Sequence, residues 1–221
     1  MQKRKILKKE FDDIRNKMAD KWQETQEELP FLTHERLCAL NDGVIAIILT
    51  IMALEIHLPV DANSYSDFLI DVGIFLTSFF VVANFWYENH LSFATFKRAT
   101  HKVIIYNFMF LAVLTLIPVL TKWIMLDLSR LAVMNYGVVY LLVVLLQSFI
   151  FGTAHKDLAK SENPFLIGLM RLRVVSVISF NLILIALSYF IPRVAMVLYI
   201  FLPIYSFLSR GKDKKLNGRK K

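Results

Sequence analysis

One cysteine in 221 residues, Cys38, excludes an intramolecular disulfide and any paired-cysteine metal site. Glycine is scarce too, with seven residues, and none of them builds a phosphate-cradling loop or a GxSxG elbow. The five histidines, His34, His57, His90, His101 and His155, are scattered without HExxH or other metal-ligand spacing. With no converging nucleophile, base or metal ligands, the chain reads as a non-enzyme that needs no cofactor. Charge is also sparse, at 20% of residues against 56% hydrophobic and a mean hydropathy of +0.51. The charges crowd into residues 1–36, three short loops and the last dozen positions. Between them run aliphatic stretches such as Val138 to Leu146, longer and more frequent than a soluble core of this size requires.

A hydrocarbon core of about 30 Å takes roughly 20 helical residues. Windows of that length, bounded by charge, fall at 37–58, 67–91, 103–122, 130–153, 167–188 and 191–209. The expected fold is therefore all-α, a polytopic membrane protein with six transmembrane helices per chain. Residues 1–35 read as a cytosolic, helical N-terminal extension, 36–209 as the membrane domain and 210–221 as a basic cytosolic tail. Nothing in residues 1–30 resembles a signal peptide, so the first span is expected to serve as its own insertion signal. Pro118 and Pro203 fall inside spans, where neighbouring helices tolerate a kink.

Lysine and arginine test this partition, because cytosolic loops carry their excess. Only Lys122, Arg130 and Arg193 of 26 fall on the outer side. Both termini are then cytosolic, and the chain is expected to be multi-pass in the cell membrane. The formal charge of +8 needs no nucleic acid to explain it. In the extension, acids nearly balance the bases; the surplus lies in the tail, where it suits anionic lipid.

The first span holds the costly residues. Asp42 and Glu55 bracket its charge-free stretch from Gly43 to Leu54, and an ionisable group at such depth points to function. An alternative makes Asn41–Asp42 an N-cap and starts the helix at Gly43. Helical spacing puts Leu40, Gly43, Ile47, Ile51, Leu54 and Leu58 on one stripe, with Thr50 on its shoulder. Ala39, Ala46 and Ala53 recur every seven residues on another face, as small residues do where membrane helices pack closely. One face is thus expected to pack and the other to line something or to meet lipid. Depth matching gathers Arg36, Asn41 and Asp42 with Trp86, Asn89 and His90 and with Asn107 in the cytosolic third, where donors from two neighbouring helices can support the carboxylate. On the outer side, Glu55, Asp61, Asp67 and Asp71 form an acidic mouth that attracts cations.

The stretch from Arg36 to Pro59 resembles the first helix of the transmembrane-protein-175 (TMEM175) potassium channel family, prokaryotic single-repeat type. That family's signature is an arginine, three variable residues and Phe-Ser-Asp. Arg36 and Asp42 match, Leu40 and Asn41 replace the Phe and Ser, and Asn41 can still donate and accept. Further matches are Ser78-Phe79, Trp86, Asn89-His90 and Phe93, then Asn107 and Leu116 to Thr121. The resemblance implies a homotetramer around the first helices that conducts potassium in preference to sodium. Its pore is narrowed by aliphatic side chains, whose positions here are Ile47, Ile51 and Leu54, with Thr50 as a polar layer and Glu55 at the outer mouth. Independently, no TVGYG-like loop is present, so a carbonyl filter is not expected, while the apolar stripe supplies a hydrophobic constriction. The competing reading is a proton pathway or secondary transporter that uses Asp42 and His90.

Overall fold

The computed structural model describes residues 2–59, 65–96, 98–154 and 164–204. All elements among them are helical: α1 (Gln2–Leu54), α2 (Tyr65–Ala94), α3 (His101–Leu114), α4 (Leu116–Leu126), α5 (Arg130–Ala154), α6 (Pro164–Phe190) and α7 (Pro192–Leu198). The chain is an all-α polytopic membrane protein. Five helical segments are long and apolar enough to cross a bilayer, α3 and α4 together making one of them; Pro192–Ile204 is a shorter apolar helical segment. The expected sixth span extends to residue 209, and its last part, the tail 210–221, Asp61 and Lys97 lie outside the described residues.

α1 is the longest element, 53 residues or about 80 Å at 1.5 Å per residue. It passes through the expected boundary at residue 36 without interruption, so the extension and the first span are one continuous helix, with Pro30 inside it. The cap reading is thereby overturned. Asn41 and Asp42 lie well inside the helix, their backbone groups already committed to it.

The third span breaks where proline chemistry demands. Pro118 has no N–H for the Leu114 carbonyl four residues earlier, and the helix parts at Thr115. There the Thr115 N–H bonds the Leu111 carbonyl at 3.0 Å and its hydroxyl donates to the Ala112 carbonyl at 2.7 Å. Similarly, Pro203 follows a turn at Tyr199–Ile200.

α5 packs against α3, α4 and α6, and α1 against α2. Phe85, Tyr136, Tyr140 and Tyr199 interlock at the centre, with Phe85 and Tyr140 centroids 4.9 Å apart. The buried Tyr199 hydroxyl donates to Asn181 Oδ1 at 3.2 Å, and Asn181 Nδ2 donates to the Gly137 carbonyl at 3.1 Å. Gly137 makes this approach possible, because a Cβ there would collide with the Tyr199 hydroxyl and the Ile185 side chain. Nearer the C-terminal end of α1, Thr121 Oγ1 donates to Ser78 Oγ at 2.9 Å and lies 3.9 Å from Met52 Sδ, joining α4 to α2 and α1.

Candidate functional site

Within the membrane, α1 has two unlike faces. Leu37, Asn41, Ile45, Ile48 and Met52, at steps of four, four, three and four, are all buried against the chain's own helices. Ile47, Ile51 and Leu54 point away from that core, 57%, 43% and 83% exposed. Leu40 and Thr50 join them, and the Thr50 hydroxyl donates to the Ile47 carbonyl at 2.9 Å. Ala39, Ala46 and Ala53 are exposed as well, so the alanine face makes no close packing within this chain. Inside the chain the bulky aliphatic face does the packing; the small-residue face stays open alongside the stripe.

The polar residues near Asp42 assemble in part. Trp86 Nε1 donates to Asp42 Oδ1 at 2.7 Å, joining α2 to α1. His90, one turn on, stacks on the Trp86 ring at 5.6 Å and 22°. Among the described residues there is no hydrogen bond between Asp42 and His90, because the indole lies between them. Asn41 and Asn89 are buried and line a cavity of about 180 Å³ with His34, Cys38, Asp42, Trp86 and His90. Among the described residues, both side-chain polar atoms of Asn41 and the Asn89 Oδ1 have no partner, and the space beside them is large enough for water.

Two expected members stand apart. Arg36 is exposed, outside the cavity lining, and forms no ion pair with Asp42 among the described residues. Asn107 is fully buried on α3 with both side-chain atoms unpartnered, and it does not reach the cavity. The carboxylate thus draws a donor from α2 and none from α3. Asp42 is exposed within the protomer.

Sequence reasoning missed two contacts here. His34 Nε2 lies 3.1 Å from the Phe93 carbonyl, and its ring packs on Phe93 and Phe96. Arg173 donates to Glu88 at 2.6 Å, tying α6 to α2 across 85 positions. Only a span-end charge on each helix hinted at the second.

At the Leu54 end of α1 the expected acidic cluster is largely paired. Glu55 pairs with Lys122 at 2.8 Å, the lysine arriving from α4. Asp71 is 6% exposed and accepts from the His57 ring at 2.8 Å and the His57 backbone N–H at 3.4 Å. Of the four acids, Asp67 is exposed at the start of α2.

Residues 36–118, which include the whole Asp42 cluster, match the sequence model of a family described as endosomal/lysosomal potassium channel TMEM175. A Chryseobacterium sp. (strain P1-3) protein named Potassium channel HX13_20290 is 36% identical over 95 residues, 42% of this chain and 50% of the relative. Potassium channel Cha6605_3372 of Chamaesiphon minutus is 27% identical over 122 residues, 50% of this chain and 60% of the relative. The matches thus span about half to three fifths of these curated relatives. The crystal structure of a lysosomal potassium-selective channel TMEM175 homolog from Chamaesiphon minutus superposes with a TM-score of 0.67 at 23% identity. That superposition covers 80% of this chain and 97% of the homolog, which establishes the shared fold.

Residues 36–118 are thus similar to the TMEM175 family.

The TMEM175 match ends at Pro118, so it takes in α1 from Arg36 onward, α2, α3 and the proline that breaks the third span. The first 34 residues of α1 precede it. The matched segment is therefore carried on a helix that starts at Gln2.

Proposed function

We propose that this chain is a potassium-selective, leak-type cation channel, assembled as a homotetramer around α1 in the cell membrane with both termini cytosolic. One observation carries the reading: in a chain whose residues 36–118 match the TMEM175 family, Ile47, Ile51 and Leu54 of α1 turn away from the protomer's core while the neighbouring Ile45, Ile48 and Met52 are buried in it. A helix so disposed has an apolar edge to offer an axis shared with other copies. The potassium named for the relatives is the permeant ion of this reading, and no cofactor is required. Rings of aliphatic side chains around that axis would gate by dewetting and let the less strongly hydrated ion through more cheaply. Glu55 would stand at the outer mouth, partly neutralised by Lys122. The basic tail would hold anionic lipid on the cytosolic side.

A proton pathway through Asp42 and His90 has less support, because the Trp86 indole stands between the two groups and its N–H does not relay protons at ordinary pH. The deciding experiment loads liposomes containing the purified protein with potassium or sodium and follows each ion's flux. Potassium flux well above sodium flux is expected. Equal fluxes, or transport carried only by protons, would overturn the reading.

A further inference from the structure

The described part of the extension carries an apolar face of its own. Phe11, Ile14, Met18, Trp22, Leu29 and Leu32 are 70%, 56%, 63%, 67%, 42% and 52% exposed, although they are among the largest apolar side chains in that segment. Their spacing puts them on one side of α1. The opposite side is polar or already covered. Lys17 pairs with Asp13 at 3.0 Å there, Arg98 lies 4.7 Å over the Phe31 ring, and the Ala99 N–H donates to the Pro30 carbonyl at 3.2 Å.

This face is in phase with the membrane stripe. From Phe11 the seam steps by threes and fours through Leu29, Arg36, Leu40 and Ile47 to Leu54, twelve steps over 43 residues. The mean step is about 3.6, the period of a straight α-helix, so at about 100° per residue Phe11, Leu29 and Ile47 share one heading. The helix continues from one end to the other through Pro30, which has no N–H for the Gln26 carbonyl but does not end it, so the two stretches stay on one helix. A mean step between 3.5 and 3.67 calls for almost no supercoil.

We infer that residues 11–32 dock against the same residues of the other copies, as a parallel, in-register helical bundle on the cytosolic side. The inference rests on the proposed assembly around α1. Copies whose first spans surround one axis must send their extensions out on the same side, parallel and in register, with this face inward. About 33 Å of helix is marginal as a free coiled coil, but the membrane domain holds the copies together and supplies the effective concentration. Arg36 lies in the seam between its two apolar stretches and keeps that layer hydrated. A bilayer surface is a poorer occupant, since a helix continuous with the first span runs away from the membrane instead of lying on it.

The test uses the full chain in nanodiscs with Cys38→Ser, so that introduced cysteines are unique. Met18→Cys lies on the seam, Asp20→Cys on the charged side, and Leu54→Cys at the membrane end of the seam. Under mild oxidation, Met18→Cys should form covalent dimers at least about fivefold more than Asp20→Cys, because a disulfide needs Cα atoms within about 7 Å. Equal yields at Met18 and Asp20, or none at Met18 while Leu54→Cys cross-links, would overturn the bundle and leave the assembly around α1 standing. No cross-link at any of the three would bring down both. Quenching of Trp22 emission by brominated lipid, read in a Trp86→Phe, Trp123→Phe chain, would place the face on the bilayer and overturn the bundle as well.

Discussion

Trp86 reaches from α2 to α1 and donates its indole N–H to Asp42 at 2.7 Å. Asp42 lies five residues before Ile47, about 140° around the helix. The bond therefore sits off the exposed stripe and adds to the buried face of Leu37, Ile45, Ile48 and Met52 in holding α1 against the chain's other helices.

Trp86→Phe keeps an aromatic ring against His90 and deletes the donor. The bond is largely exposed, so its loss should cost on the order of 1 kcal/mol and lower the melting temperature in detergent by a few degrees. Protein that remains assembled should show the same potassium-to-sodium flux ratio as the parent. A changed ratio at unchanged stability would put Asp42 in the ion path and not in its support.

Much of this was legible in the sequence, and the parts that were not share a physical cause. The spans, the proline break before Pro118 and the membership of Ile47, Ile51 and Leu54 in one stripe follow from charge placement, missing N–H groups and helical period. The packing face of α1 does not. In a bilayer both faces are apolar, so period alone does not separate Ile45, Ile48 and Met52, which meet protein, from residues that face elsewhere. Nor does period say whether the alanine face packs within the chain or against another copy, since small residues permit close approach without requiring it. The Glu55–Lys122 and Glu88–Arg173 pairs depend on helices meeting across 67 and 85 positions, which local spacing does not encode. The N-terminal extension read as a separate solvated helix because its charges nearly balance, and its continuity with the first span shows only in the backbone.

Lys122→Gln tests the outer mouth. The lysine is half exposed and compensates Glu55 at 2.8 Å, so its removal leaves a carboxylate that should raise the local cation concentration. Conductance at about 10 mM salt should rise, on the order of twofold, and the gain should vanish near 1 M, where the Debye length shrinks to about 3 Å. Unchanged conductance at low salt would mean that Glu55 does not face the ion path.

Gly137→Ala asks whether the α5, α6 and α7 contact is as tight as it looks. The added methyl meets the Tyr199 hydroxyl and Ile185, so one or both must move and the Tyr199 to Asn181 hydrogen bond is strained. A loss of about 1–3 kcal/mol is expected, read as a lower melting temperature. Gly152→Ala, with open space at its Cβ, is the matched control and should be near neutral. Equal melting temperatures for the two variants would refute the tight contact.

The constriction itself is tested at Ile47. Ile47, Ile51 and Leu54 are successive turns of one exposed face, so four copies would stack three apolar rings over roughly 10 Å, with the Thr50 hydroxyls between them. Thr50 already donates to the Ile47 carbonyl, which leaves its oxygen lone pairs as the polar contribution to that layer. An ion crossing the rings sheds or deforms its water shell without full replacement by protein oxygens, so the barrier rises with hydration strength and sodium is held back more than potassium. Shortening the side chain widens the ring and lets water stay with either ion. Ile47→Ala should therefore raise total cation flux and reduce potassium preference, and Ile47→Asn should do so more strongly because its amide wets the ring. Neither change should alter fold stability much, since Ile47 is 57% exposed within the protomer. A stripe that faces lipid predicts the reverse pattern: Ile47→Asn would impair membrane insertion or assembly, and Ile47→Ala would leave flux and reversal potential as they were. Reversal potentials in mixed potassium and sodium gradients, measured on both variants after assembly has been verified, separate the two arrangements.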